Sequence, residues 1–69
     1  MTTLMDLLLT APESQVPAVQ DAMRAVAKGE WRAASRIMSH AADWTDRGDA
    51  WGDAAEKIAA ELRTKADHS

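Results

Sequence analysis

His40 and Asp43 stand one helical turn apart, a spacing at which two side chains can share a metal ion. No third ligand can be assigned, and the other histidine, His68, is next to the last residue. The chain has no cysteine, which removes thiolate metal sites and disulfides. Arg24, Lys28, Arg32 and Arg36 follow at four-residue steps. On one unbroken helix they form a basic ribbon able to grip phosphate or an acidic partner. Asp21, Glu30 and Asp43 lie close enough in sequence to make the same residues an ordinary solvated face. Trp31, Trp44 and Trp51 are the whole aromatic content. Tryptophan is prominent among residues that anchor partner proteins. It is equally the filler that an alanine-rich core needs. There is no nucleophile–base set, and the three glycines form no phosphate-cradling loop. These residues predict no enzymatic activity, no cofactor and no bound metal.

Helices must position all of them. Thr2 or Thr3 can cap a first helix over about residues 3–10, with Leu4, Leu7 and Leu8 on one face and Met5 and Leu9 widening it. Four of the five leucines fall here, so the segment reads as the lid of a core or the seam of an oligomer. Thr10-Ala11-Pro12-Glu13 has the form of a capping box, and Ser14 offers a second N-cap. Pro12 and Pro17 end the first helix and suit the first turn of the next. A second helix over about 15–28 carries Val16, Val19, Met23 and Val26 on its stripe.

Gly29 either closes that helix in the left-handed conformation or sits inside one long helix at a cost of about 1 kcal/mol; the break is the favoured reading. A third helix over about 30–46 then turns Trp31, Ala34, Ile37, Met38, Ala41 and Trp44 inward, and Arg32, Arg36, His40, Asp43 and Arg47 outward. Gly48 stops it and Asp49 caps a fourth helix over about 50–65. The stripe of that helix is Trp51, Ala54 or Ala55, Ile58, Leu62 and Ala66. Asp53–Lys57, Lys57–Glu61 and Glu61–Lys65 are opposite-charge pairs at i,i+4. Residues 67–69 are expected to fray.

Composition gives the fold class. Fifteen alanines face seventeen large apolar side chains (Leu, Val, Ile, Met and Trp) in 69 residues. Alanine is the best helix former but buries little surface. The expected architecture is all-α: one domain over 1–69, a small three- to four-helix bundle or paired hairpins. At this size burial and ordering terms nearly cancel. Completion by homo-oligomerisation is therefore expected, most simply as a homodimer. The candidate interface is Leu4, Leu7, Leu8, Trp31, Trp44 and Trp51. Trp51 is foremost because Gly52 beside it can admit a neighbouring helix. Arg24, Lys28, Arg32 and Arg36 are the candidate contacts to an anion or a partner.

The formal charge of −3 argues against a nucleic-acid footprint, which is ordinarily basic. The leucine run from Leu4 to Leu9 is under half a membrane span. It contains Asp6 and lacks a basic leader, so it is a poor signal peptide as well. Cytoplasmic location is the expectation. The absence of Asn, Phe and Tyr, with Ala, Arg, Asp and Trp in their stead, is the bias of GC-rich coding. It points to a high-GC bacterium or a phage of one.

Residues 21–38 resemble a helix-turn-helix motif: Ala25 stands four residues before Gly29, and Ser35-Arg36 resembles the start of a recognition face. The register departs where the buried aliphatic six residues after the glycine is Ser35, and where Trp31 occupies a position usually small or polar. Burial of Ser35 under a turn at Gly29 would favour the resemblance and its exposure would weaken it.

Gly29-Glu30-Trp31, then Ala34, Met38 and Ala41, is similar to the second helix of a tetratricopeptide unit over about thirteen residues. Ala18, Asp21, Ala22 and Ala25 replace the aromatic and glycine of that family's first helix, and one unit does not stand alone. The likeness implies a tight helical hairpin. Trp51-Gly52 resembles the tryptophan–x–glycine turn of small secreted helical-hairpin proteins, without the intervening residue. Arg47-Gly48-Asp49, an adhesion tripeptide, reads as a helix stop and N-cap. No pattern names an activity. The expected function is a non-enzymatic protein–protein interaction module, such as an accessory or phage-encoded regulator of a host protein. The alternative is a small DNA-binding regulator using the third helix.

Overall fold

A computed structural model describes residues 3–45 and 49–68. Among the described residues there are four α-helices and one 3₁₀ turn, and no strand. Helix α1 spans Leu4–Thr10, the 3₁₀ turn Glu13–Gln15, α2 Val16–Ala27, α3 Trp31–Asp43 and α4 Ala50–His68. The chain is all-helical, as its composition predicts.

Local chemistry accounts for the boundaries, though not always through the predicted groups. Thr3 caps α1: its hydroxyl accepts from the Asp6 amide, and the Asp6 carboxylate accepts from the Thr3 amide. The capping box expected at Thr10 and Glu13 does not form. The Thr10 hydroxyl instead donates to the Asp6 carbonyl one turn back, because Thr10 is still helical. Ser14 is taken up in the 3₁₀ turn, and α2 begins after Gln15 with no side-chain cap and with Pro17 in its first turn.

Gly29 breaks the chain. Its φ is +77°, the left-handed region, and the Gly29 and Glu30 amides donate back to the Val26 and Ala25 carbonyls at 2.9 and 2.8 Å. This is the Schellman closure that a glycine after a helix end permits. The predicted break at Gly29 is therefore observed. Asp49 accepts the Trp51 amide at 2.8 Å and opens α4 as expected. Arg47 and Gly48, read as part of the helix stop, lie outside the described residues. α4 runs on to His68 where fraying was expected, with Asp67 bonded to Arg32 at 3.5 Å.

The main pairing is α3 against α4, with α2 packed on α3, and α1 bridging α2 and α4. Among the described residues thirteen apolar ones are buried, and seven of them are alanines. The larger ones are Leu7, Val19, Met38, Trp51, Ile58 and Leu62. The alanines act as spacers that let backbones approach. Two contacts show how close α3 and α4 come. The Ser35 hydroxyl donates to the Ala59 carbonyl at 2.7 Å, within the opposite helix. At the other end, a Cβ on Gly52 would collide with the Thr45 side chain. Gly52 thus leaves room for the Thr45 side chain just beyond α3, where its type had suggested the approach of a neighbouring helix. The Cα radius of gyration is 10.8 Å, against about 11 Å expected for a folded chain of this length. No buried side-chain polar atom among the described residues lacks a partner.

The predicted inner face of α3 is rotated. Ala34, Met38 and Ala41 are buried, but so are Ser35 and Ala42, while Ile37 is half-buried and Trp44 is 71% exposed. A helix turns about 100° per residue, which places Trp44 roughly 120° from the middle of the buried set. The small side chains at Ser35 and Ala42 draw α4 to their side of α3, which leaves Ile37 at the margin of the core and Trp44 outside it.

Candidate functional site

The three tryptophans have three different environments. Trp51 is 7% exposed, and its indole N–H donates to the Leu7 carbonyl at 3.0 Å. Leu7 is 1% exposed. Both were expected at an interface, yet in a single copy both belong to the core, where they fasten α1 to the start of α4. A helical stripe in the sequence does not distinguish a face turned to the molecule's own core from one turned to a partner. Leu4 and Leu8 flank this joint and are half-buried against the core. Trp31 is half-buried beneath Lys65, whose Nζ lies 4.7 Å from the ring centroid. Lys65 is thus engaged with an aromatic ring. The predicted i,i+4 ladder on α4 is not made: the ion pairs among the described residues are Arg24–Asp21 at 3.7 Å and Arg32–Asp67 at 3.5 Å.

Trp44 differs from both. It caps the end of α3, next to Thr45, whose hydroxyl donates to the Ala42 carbonyl at 2.7 Å and whose side chain faces Gly52. Its indole N–H donates to His40 Nε2 at 2.9 Å, and the two rings meet edge-on at 6.1 Å. This exposed hydrogen bond favours one orientation of a large aromatic side chain that projects into solvent. Leu9 and Met5, 76% and 52% exposed, are the other large apolar side chains left outside among the described residues. They lie on α1, where they were expected to widen the Leu4–Leu7–Leu8 face and instead turn to solvent.

His40 links Trp44 to a polar cleft between α3 and α4. Arg32, Arg36, His40 and Asp43 of α3 and Arg63 and Asp67 of α4 line it, over Ser35 and Ser39, around a volume of about 560 Å³. The break at Gly29 divides the four-residue basic series. Arg24 is exposed on α2 beside Asp21, and Lys28 lies in the turn. Only Arg32 and Arg36 enter the cleft, so the continuous ribbon is not formed. Arg63 replaces the missing pair. Nothing in the sequence marked it, because its place beside Arg32 and Arg36 depends on the antiparallel register of α3 and α4. The pairing of Ser35 with Ala59 sets that register.

His40 faces Trp44 rather than a second ligand. No group of three or more metal-ligating side chains is gathered among the described residues. Among the same residues no helix is long and apolar enough to cross a membrane. Comparison with protein-family models, curated proteins and solved structures finds no match to the chain.

Proposed function

We propose that this chain is a small non-enzymatic interaction protein that works by presenting the outer edge of α3 to another protein. The observation that carries the reading is Trp44: a large aromatic ring, 71% exposed, whose indole N–H is hydrogen-bonded to His40 on its own helix. An indole that already favours one orientation loses less conformational freedom on binding, and tryptophan is over-represented among residues that dominate interface energetics.

The area at hand favours a different protein over a second copy. Trp44, Leu9 and Met5 together expose on the order of 400 Å² of side chain. A standard interface takes about 800 Å² from each partner. A homodimer built on these three residues alone would be weak, whereas a partner with its own pocket can use Trp44 as a single anchor. A photo-crosslinker replacing Trp44, used in extract of the native host, tests this, with the exposed position Ala27 on α2 as the control site. The expected result is one adduct from position 44, competed by the unmodified protein and not by Trp44→Ala. Equal labelling from positions 44 and 27 would sink the reading.

A second reading has specific support. The α2–α3 hairpin combines a left-handed Gly29, a buried Ala25 and a buried residue six positions after the glycine, all of which suit a helix-turn-helix. Burial of Ser35 is the feature that favours it. Against it, Ser35 is hydrogen-bonded to Ala59 of α4, and Trp31 fills a usually small position. Asp43 also shares the recognition edge with Arg32, Arg36 and His40. Binding to duplex DNA that falls steeply with added salt would support this reading over the first.

A further inference from the structure

We infer that the α3–α4 cleft seats a carboxylate-rich segment of a partner protein, with an apolar side chain of that segment resting on Trp44. The inference builds on the interaction reading and names the chemistry of the partner.

Charge complementarity is its basis. The chain carries a formal charge of −3, yet Arg32, Arg36 and Arg63 converge on one cleft against Asp43 and Asp67. Of these carboxylates, Asp67 pairs with Arg32 at 3.5 Å, through side chains that are 75% and 59% exposed. Arg36 and Arg63 make no ion pair among the described residues. Each guanidinium presents five N–H donors in a planar fork that matches a carboxylate at two points. Two open forks on facing helices are suited to successive acidic side chains of one segment.

Continuity with Trp44 supplies the second half. His40 belongs to the cleft wall and also accepts the Trp44 indole N–H. The aromatic anchor and the guanidinium cluster are therefore parts of one surface. Asp43 and Asp67 disfavour a continuous phosphodiester track, which would bring a charge against each of them. A peptide can set uncharged residues there and reserve its carboxylates for the arginines.

Fluorescence anisotropy with a labelled peptide of glutamates and leucines tests the proposal, beside the same peptide with glutamine for glutamate and a labelled DNA duplex. The glutamate peptide should bind about tenfold more tightly than the glutamine peptide, or better. Arg36→Gln with Arg63→Gln should erase that difference, Arg24→Gln on α2 should preserve it, and Trp44→Ala should weaken both peptides alike. Equal binding of the two peptides would overturn the proposal. So would an Arg24→Gln loss matching that of the cleft variants, or binding tighter to the duplex than to the glutamate peptide. If the cleft fails this test while position 44 still yields its specific crosslink, the charge assignment falls and the interaction reading stands. If the crosslink is absent too, both fall.

Discussion

Trp51 and Trp44 each fall on the apolar stripe predicted for their own helix, yet the fold treats them in opposite ways. Each donates its indole N–H, at 3.0 and 2.9 Å respectively. The Trp51 N–H donates to a backbone carbonyl on another helix, 44 positions away; the Trp44 N–H donates to a side chain four residues back on its own helix. The first bond closes a tertiary joint. The second orients a ring without tying it to the rest of the molecule. The destination of the polar atom, more than residue type or spacing, separates a structural tryptophan from a displayed one.

The largest expected effect tests the structural side of that contrast. Trp51→Ala should cost about 3–5 kcal/mol, comparable with the whole stability of many small domains. Denaturant titration should find the variant largely unfolded. A loss below about 1 kcal/mol would show that Trp51 is not part of the core. Trp51→Phe separates packing from the hydrogen bond: with most of the ring kept and the Leu7 carbonyl left unpaired, the loss should be about 1–2 kcal/mol. A loss equal to that of Trp51→Ala would assign the whole effect to the polar bond.

The next test addresses the corner beneath Trp44. Gly52→Ala drives a methyl group into Thr45, and should lower stability by about 1 kcal/mol despite alanine's better helix propensity. On a Thr45→Ala background, where only the Cβ at 3.2 Å remains to be accommodated, the same change should cost clearly less. Additive effects in that double-mutant cycle would contradict the close approach of α3 and α4 at this point. The smallest effect is Trp44→Ala, which should leave the unfolding midpoint within about 0.5 kcal/mol of the parent. A loss as large as that of Trp51→Phe would make Trp44 a core residue and remove the basis of the proposed function.

Much of the fold is legible in the sequence, because helix ends are written in local chemistry. Gly29, Asp49 and Pro17 act where their residue types predict, and the buried set of α4 follows its predicted stripe closely. Thr10 and Ser14 mislead because two caps were available within a few residues, and the chain entered a 3₁₀ turn between them. The candidate site is less legible. Ser35 and Ala42 are small enough to read as neutral, yet they determine which side of α3 meets α4. That rotation is what exposes Trp44, and the same pairing brings Arg63 to Arg32 and Arg36. Both outcomes depend on interhelical register, for which a single helix carries no signal.

The joint at Trp51 has a consequence for the order of folding. α2, α3 and α4 follow one another along the chain and pack as successive neighbours, so their association closes only short loops. α1 has seven residues, too few to persist as a helix unaided, and its tie to α4 spans most of the chain. It should assemble last and open first, as a unit of its own. Hydrogen exchange should accordingly find the α1 amides released well before those in the middle of α3 and α4. During such an opening, the Trp51 indole would briefly face water.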